Sequence, residues 1–378
     1  MTRILKLSQL SPQQLNQLKR RSEQNIDQAL AIAKDVIEKV KMEGDAGVLH
    51  YSRQFDFAGA TAENLRVSEA EFAEAEKLVD PQLRRAVEHA FRNIEKVHAG
   101  QMPPPMHLAE IEPGVFAGEK ITPLPTVGLY VPRGKGAFPS MMLMLAVPAR
   151  VDKLIGPCSI YGAAAKRLLS GIVDVGLPAG PSESIVLADE TTDPKLAALD
   201  LLIEAEHGSD SAALLVTHSE IFAEKALGYL GEYLAKLPPW RKKFCEDGLG
   251  SYGGILLTDT LQASLDFIND YAPEHLQVLT ADPLNLVGKI DNSVEILLGN
   301  YTPYSAATYA IGVNAVLPTG GFARSYSAVS VFDFLKRSTL AYLTPEGFAG
   351  VKETVTTLAD YEDFPAHELA IRDRENQL

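Results

Sequence analysis

The sequence predicts an α/β protein whose core is a doubly wound parallel sheet. Two observations predict it: between residues 126 and 298 short apolar runs alternate with helical stretches, and those runs are continuous in their apolar character, as strands covered on both faces are. A third is bulk. With 378 residues, 46% of them hydrophobic, the chain has core enough for two or more domains, because single cores stop growing at about 250–300 residues.

The elements follow in order. Ser11-Pro12 opens a first helix, and Ile26, Leu30, Ala33, Ile37 and Val40 recur at helical spacing up to Gly44. Ser68 with Glu71 is a capping-box signature for another helix, and Asp80-Pro81 opens one that runs to the neighbourhood of Gly100. The proline-rich stretch 102–105 ends this helical region. Strands are expected at 126–131, 153–155, 184–187, 212–217, 254–258 and 294–298, with 276–279 strand-like. Between them Asp193-Pro194 reads as the N-cap and first turn of a helix that continues through Ala205 until Gly208 offers a stop. After Gly320-Gly321 the chain changes character. From Ser338 on it reads as mainly polar helix, with a start at Thr344-Pro345, and so as an appended arm without its own core.

Composition bounds the function. A formal net charge of −14 and a pI near 5.1 oppose non-specific attraction to nucleic acid or anionic lipid, and no Lys/Arg cluster tracks a phosphate backbone. Cys158 and Cys245 are too few for a disulfide framework and neither has a CxxC partner. The N-terminal stretch lacks the apolar core of a secretory signal, and no apolar run reaches membrane-spanning length. A cytoplasmic enzyme acting on small molecules is the expectation.

Several segments can carry chemistry. Glu204 and His207 lie at i, i+3 on one helix face with Asp200 one turn behind, and a carboxylate with an imidazole at that spacing can grip one Zn²⁺; the same pattern is common on solvated faces. Pro273-Glu274-His275 stands at a helix-to-strand junction, where the two titratable groups can serve successive proton transfers or supply only surface polarity. His367 has no ligand partner nearby in sequence and, taken alone, reads as structural. The stretch 177–183 can present Ser182 to a ligand or act as a stiff connector. Gly134 and Gly136 are no GxGxxG motif; Gly156-Pro157-Cys158-Ser159 is a second candidate phosphate turn or a tight strand-to-helix link. Tyr130 can stack on a flat ring or pack at its strand end.

Read in order, VGLYVPRGKGAFPS, LMLAVPA, VDKLIGP, AAKRLL, LPAGPSES, ADET, AEHG, APEHL, YTPYSAATYAIGVNAVLPTGGFARSYSAVS and AHELAIR resemble the histidinol dehydrogenase family from end to end. The resemblance implies a homodimeric, zinc-dependent, NAD-linked enzyme that oxidises an amino alcohol through the aldehyde to the acid, the last steps of histidine synthesis. It implies two Rossmann-like parallel-sheet domains, the second shortened here, with a helical N-terminal region and a C-terminal arm that crosses to the other subunit. The corresponding segments are 1–125 for the N-terminal helices and the start of the main domain, 126–181 for the nucleotide-binding-like domain, 182–325 for the main substrate and metal domain, and 326–378 for the arm. By the same resemblance Glu274 and His275 perform the acid/base work, and Glu204, His207 and a His367 from the second copy hold the metal. Ser182, Thr308 and Glu362 meet the substrate, and Tyr130 and Ser159 meet NAD.

Three departures from the family pattern stand out. After LMLAVPA the family continues with a further βαβ stretch and a glycine turn, whereas Ala149-Arg150 runs straight into Val151-Asp152-Lys153, and the family's GPGN turn reads Gly156-Pro157-Cys158-Ser159. At the metal, Glu204 stands at the family's Gln and Thr308 at its Asp, so the carboxylate has moved rather than vanished. Ala315 replaces the histidine of the GTNH-like loop. Two other readings follow from these departures: a zinc-dependent hydrolase without a redox cofactor, and a non-catalytic dimeric paralogue that has lost NAD.

Overall fold

The computed structural model describes residues 2–20, 27–131, 139–146, 153–157 and 160–375. The chain opens with β1 (Ile4–Lys6) and five helices, α1 (Pro12–Arg20), α2 (Asp27–Glu43), α3 (Asp45–Phe55), α4 (Glu69–Leu78) and α5 (Pro81–Ala99). Their starts are set by local hydrogen bonding. Ser68 and Glu71 form the reciprocal capping box, and Asp80 accepts from the N–H groups of Gln82 and Leu83 ahead of Pro81.

A hairpin follows, β2 (Met106–Glu112) and β3 (Val115–Pro123), and then β4 (Val127–Leu129), α6 (Pro139–Ala146), β5 (Lys153–Ile155) and α7 (Ile160–Leu169). The main domain is built from β6 (Glu183–Ala188), α8 (Pro194–Ala205), β7 (Ala212–Thr217), α9 (Glu220–Leu234), α10 (Pro239–Ser251), β8 (Gly254–Leu257), α11 (Leu261–Tyr271), β9 (His275–Leu279) and β10 (Glu295–Leu298). A short helix α12 (Tyr304–Ala306) continues as a π-helical turn, Ala307–Ile311; the chain ends in β11 (Leu335–Leu343), α13 (Pro345–Tyr361) and α14 (Pro365–Glu375).

Six strands form a parallel sheet in the order β1-β8-β7-β6-β9-β10. The chain steps outward from β6 to β8, then returns to the other side of β6 for β9, the doubly wound pattern the apolar runs predict. Strands β6, β7 and β9 are buried at every position, and alternate residues serve two cores. Val186, Ala213, Leu215, Ile255 and Leu297 pack with α8 and α9; Ile185, Leu214, Val216, Leu256 and Leu276 pack with α1 and α11. Helix α8 starts where Asp193 accepts from the N–H of Lys195 at 2.9 Å. Asp193→Ala should therefore lower the stability by about 0.5–2 kcal/mol in urea unfolding.

One feature differs from the sequence expectation. The segment expected to be polar helix from Ser338 begins as strand: β11 pairs antiparallel with β3, which also pairs with β2, in a three-stranded sheet. Both faces of β2 and β11 are largely exposed, so no apolar alternation marks them, and the pairing partners lie far apart in sequence. The shortened second domain holds two parallel strands among its described residues, β4 and β5. At Gly156, with φ +137°, a Cβ would come within 2.0 Å of the Tyr130 carbonyl oxygen, so that close crossing needs glycine.

Candidate active site

The sheet register builds the centre of the site. His275 is the first residue of β9 and lies directly opposite Ser184 of β6 on one side and Glu295 of β10 on the other. Residues opposite one another in a parallel sheet share a face, so the Glu295 carboxylate is delivered to the imidazole by pairing alone. The Nδ1 of His275 lies 2.6 Å from Glu295 Oε2. An ionised carboxylate only accepts, so the imidazole donates. On the other side of the ring, Nε2 is 3.6 Å from Glu274 Oε1. Glu274 is held in turn by the N–H of Glu183, which donates to its Oε2 at 2.9 Å. Glu183 accepts from the Gly320 N–H at 2.7 Å, which docks the Gly320-Gly321 turn against β6.

Helix α8 runs back across this face and brings its last turn to the same end of the sheet. Glu204 is buried, while His207, one turn on, is about half exposed, and its Nδ1 lies 3.3 Å from Glu204 Oε2 and 3.1 Å from the Ile203 carbonyl oxygen. One turn earlier Asp200 accepts from the Gln277 amide at 2.8 Å. Tyr304 of α12 donates to the Ile185 carbonyl at 2.7 Å and sets its ring edge-on to His275. All these groups lie at the amino ends of β6, β9 and β10, opposite the carboxyl-end crevice usual for open α/β sheets.

Four glutamates, Glu183, Glu204, Glu274 and Glu295, are between 3% and 7% exposed around one buried imidazole. Burying that much negative charge is costly unless a cation offsets it. The proton affinities respond accordingly. Burial pushes the Glu274 carboxyl well above its ordinary range, with Glu204 and Glu183 adding to the rise and His275 opposing it. For His275, burial alone would lower the imidazole, but Glu274, Glu204 and Glu295 outweigh it and raise it to about 10. Burial lifts Asp200 to about 6, and the Gln277 hydrogen bond works against that lift.

The other predicted residues are more scattered. Ser182 immediately precedes β6, and its carbonyl accepts from the Ala212 N–H at 2.9 Å. Thr308 sits half-buried in the π-helical turn. Tyr130 follows β4 and is 43% exposed. Ser159 lies outside the described residues. Glu362 closes α13 and His367 lies on α14, both exposed. Among the described residues of one chain no three His, Cys, Asp or Glu side chains form a metal-binding group; Glu204 and His207 are brought together, and His367 instead lies tilted against the Phe364 ring. A cavity of about 590 Å³ lies elsewhere, against β5, lined by Lys153, Asp174, Tyr326 and Asp333, and holds none of these residues. Among the described residues no helix is long and apolar enough to cross a membrane.

Sequence reasoning missed Glu183, Glu295, Gln277 and Tyr304. The signal was present for three of them: a charged or amide residue inside the otherwise apolar stretches ESIVLA, EILL and HLQVL is out of place in a parallel core strand unless it has a partner. Tyr304 carried no such mark.

The histidinol dehydrogenase family model matches residues 19–153 and 149–375. Histidinol dehydrogenase from Synechocystis sp. is 83% identical, with all of both chains covered. A protein from Colwellia psychrerythraea described as a histidinol dehydrogenase homolog is 41% identical over 98% of this chain and 96% of its own. Among solved structures, histidinol dehydrogenase from Elizabethkingia anophelis superposes with a TM-score of 0.92 at 29% identity, over 100% of this chain and 98% of that one. The Synechocystis alignment spans 434 residues against 378 in this chain, so part of the relative faces a gap. The two family-model segments meet at 149–153, where Ala149-Arg150 runs into Val151.

Proposed function

Because this chain belongs to the histidinol dehydrogenase family, we propose that it oxidises an amino alcohol, L-histidinol or a close chemical relative, through the aldehyde to the acid in the cytoplasm, with zinc and NAD as cofactors and each site shared by two copies. The observation that carries this reading is the buried cluster of Glu274, His275 and Glu295 beside Glu204 and His207. It combines an acid/base pair with an excess of negative charge that a divalent cation would offset.

The residues fit a zinc ion. With Nδ1 of His207 turned to the Ile203 carbonyl, Nε2 is the atom left for a metal, the arrangement usual for metal-bound imidazoles. Glu204 supplies the carboxylate, and His367 of a second copy would supply the third ligand, giving two imidazoles and one carboxylate with a position open for substrate. The arm suits such an exchange. It carries exposed Leu358, Tyr361, Phe364 and Leu369, an apolar set that a second chain would cover. The fit to NAD rests on one strand–turn–helix unit, from β5 through Gly156 to α7, with Tyr130 and Ser159 as the residues that would meet it. Zinc when bound supplies Lewis acidity and orientation, and NAD supplies the hydride acceptor.

The chain's own residues handle the protons. His275 Nε2 accepts the substrate hydroxyl proton, and the ring is held by Glu295 at its other nitrogen. A cation held by Glu204 would offset one of the charges that raise the imidazole and so would favour a neutral ring with Nε2 able to accept. Glu274, fixed by the Glu183 N–H, serves as base toward the water that enters in the second oxidation.

Metal analysis and subunit mixing test the reading. The purified protein is expected to carry about one zinc per chain, and Glu204→Ala and His367→Ala are each expected to lower zinc affinity at least about 10–100-fold. Mixed dimers of the two inactive variants should regain activity, since one of their two sites then has both Glu204 and His367. Zinc content unchanged in both variants, or mixed dimers that stay inactive while each variant dimerises, would refute the shared metal site.

A further inference from the structure

We infer that Glu295 is a positioning residue for the acid/base step: its carboxylate holds His275 as the Nδ1–H tautomer and thereby aims the free Nε2 at the substrate. The inference rests on the proposal that His275 accepts the substrate proton.

The register places these two side chains with no room for accident. His275 and Glu295 are direct partners across β9 and β10, on a sheet face where strands lie about 4.8 Å apart. Their side chains are 7% and 6% exposed and meet at 2.6 Å. The same face of β10 next carries Leu297, which packs in the apolar core under α8. A carboxylate at that position costs desolvation that an apolar side chain would not. Nor is it there to satisfy several backbone groups, as a structural carboxylate would: its Oε1 is buried without a hydrogen-bond partner, and Oε2 meets His275. Among the described residues the imidazole is thus the side chain that this buried carboxylate meets.

The chemical consequence concerns which nitrogen is free. A neutral imidazole has one N–H and one lone pair, and the hydrogen bond made by one nitrogen decides the role of the other. With Nδ1–H committed to Glu295, the lone pair falls on Nε2, the nitrogen that faces Glu274 at 3.6 Å. Without Glu295 the ring can carry its proton on either nitrogen or rotate about its χ angles, and the fraction ready to accept a proton falls. The same carboxylate stabilises the imidazolium once the proton has arrived.

The test uses Glu295→Leu and Glu295→Gln in the full-length, zinc-loaded protein with ¹⁵N-labelled histidine, reading the His275 ring nitrogens by NMR beside kcat and KM. His275→Asn assigns the signals. In the parent, at a pH where the ring is neutral, the Nδ1–H tautomer should dominate, with a downfield ring proton from the short hydrogen bond. In Glu295→Leu that proton should vanish, the Nε2–H tautomer should gain, and kcat should fall about 10–100-fold with KM changed by less than about threefold. Glu295→Gln, which can still accept through its amide oxygen, should keep the tautomer and recover most of kcat. Should the leucine variant fail to fold, the glutamine variant still decides, since without the charge its ring proton must move upfield from the parent position. An unchanged tautomer in the leucine variant, an unmoved proton in the glutamine variant, or a kcat equal to the parent's in a folded leucine variant would overturn the inference. The tautomer readout is independent of the substrate, so a wrong choice of amino alcohol leaves it intact, whereas a parent in which His275→Asn turns over normally refutes the acid/base reading itself.

Discussion

Replacing His275 with asparagine is expected to lower kcat for amino-alcohol oxidation by about 10²–10⁴-fold, with KM and the folded structure largely kept. The asparagine amide can still donate to Glu295 Oε2, so the buried carboxylate keeps a partner and the loss of stability should stay near the 0.5–1.5 kcal/mol, roughly, of one hydrogen bond. What disappears is the nitrogen at the Nε2 position, 3.6 Å from Glu274, on a ring whose proton affinity three carboxylates raise. Glu274→Gln makes the complementary case. Its amide oxygen can accept from the Glu183 N–H as Oε2 does now, but it cannot take a proton from water. The first oxidation should then persist while the second stalls, and aldehyde should be trapped by an amine reagent in amounts matching the NADH formed. Steady-state kinetics with both variants separate the roles; a His275→Asn enzyme within about threefold of the parent would remove the imidazole from the mechanism.

Much of this arrangement was legible in the sequence, and the reason is local. The capping box at Ser68, the Asp-Pro starts of α5 and α8, and the apolar runs of β6, β7 and β9 are all decided within a few residues. The PEH tripeptide and the Glu204–His207 spacing are likewise local, and the structure buries the first and brings the second together. The unread part is non-local. Strand β11 pairs with β3 more than two hundred residues away and is exposed on both faces, so no periodicity announces it. Glu295 becomes meaningful only when the register sets it opposite His275; in the sequence it is a lone acid in a strand, and its partner is set by the order β6-β9-β10, which no single segment encodes. His367 joins no group of three ligating side chains among the described residues of one chain.

Stability should fall as pH rises from about 4 to about 6, and Asp200→Asn should abolish that part of the fall. Asp200 ionises near 3.8 when exposed and near 6 in the fold, chiefly because burial disfavours the charge. Between those values the folded state holds a proton that the unfolded chain has released, so the unfolded state binds fewer protons and the slope of stability against pH is negative. Below about 4 both states are protonated and no penalty exists; above about 6 both are ionised and the penalty is constant, about 3 kcal/mol for a displacement of roughly two pH units. Asparagine keeps an oxygen for the Gln277 amide, which now reaches Asp200 at 2.8 Å, and carries no charge, so at pH 7 the metal-free variant should be the more stable by about that amount. The two proteins' unfolding curves, measured with chelator present, should converge near pH 4 and separate through pH 6; curves that stay parallel would show that Asp200 does not carry this cost. A bound cation would link the result to function. Asp200 stands one helical turn before Glu204, so a cation held there favours the ionised carboxylate and should shrink the difference between parent and variant. The buried acid then weakens the fold less when a cation is bound than when none is, the trade between stability and activity expected where charge is gathered for a ligand.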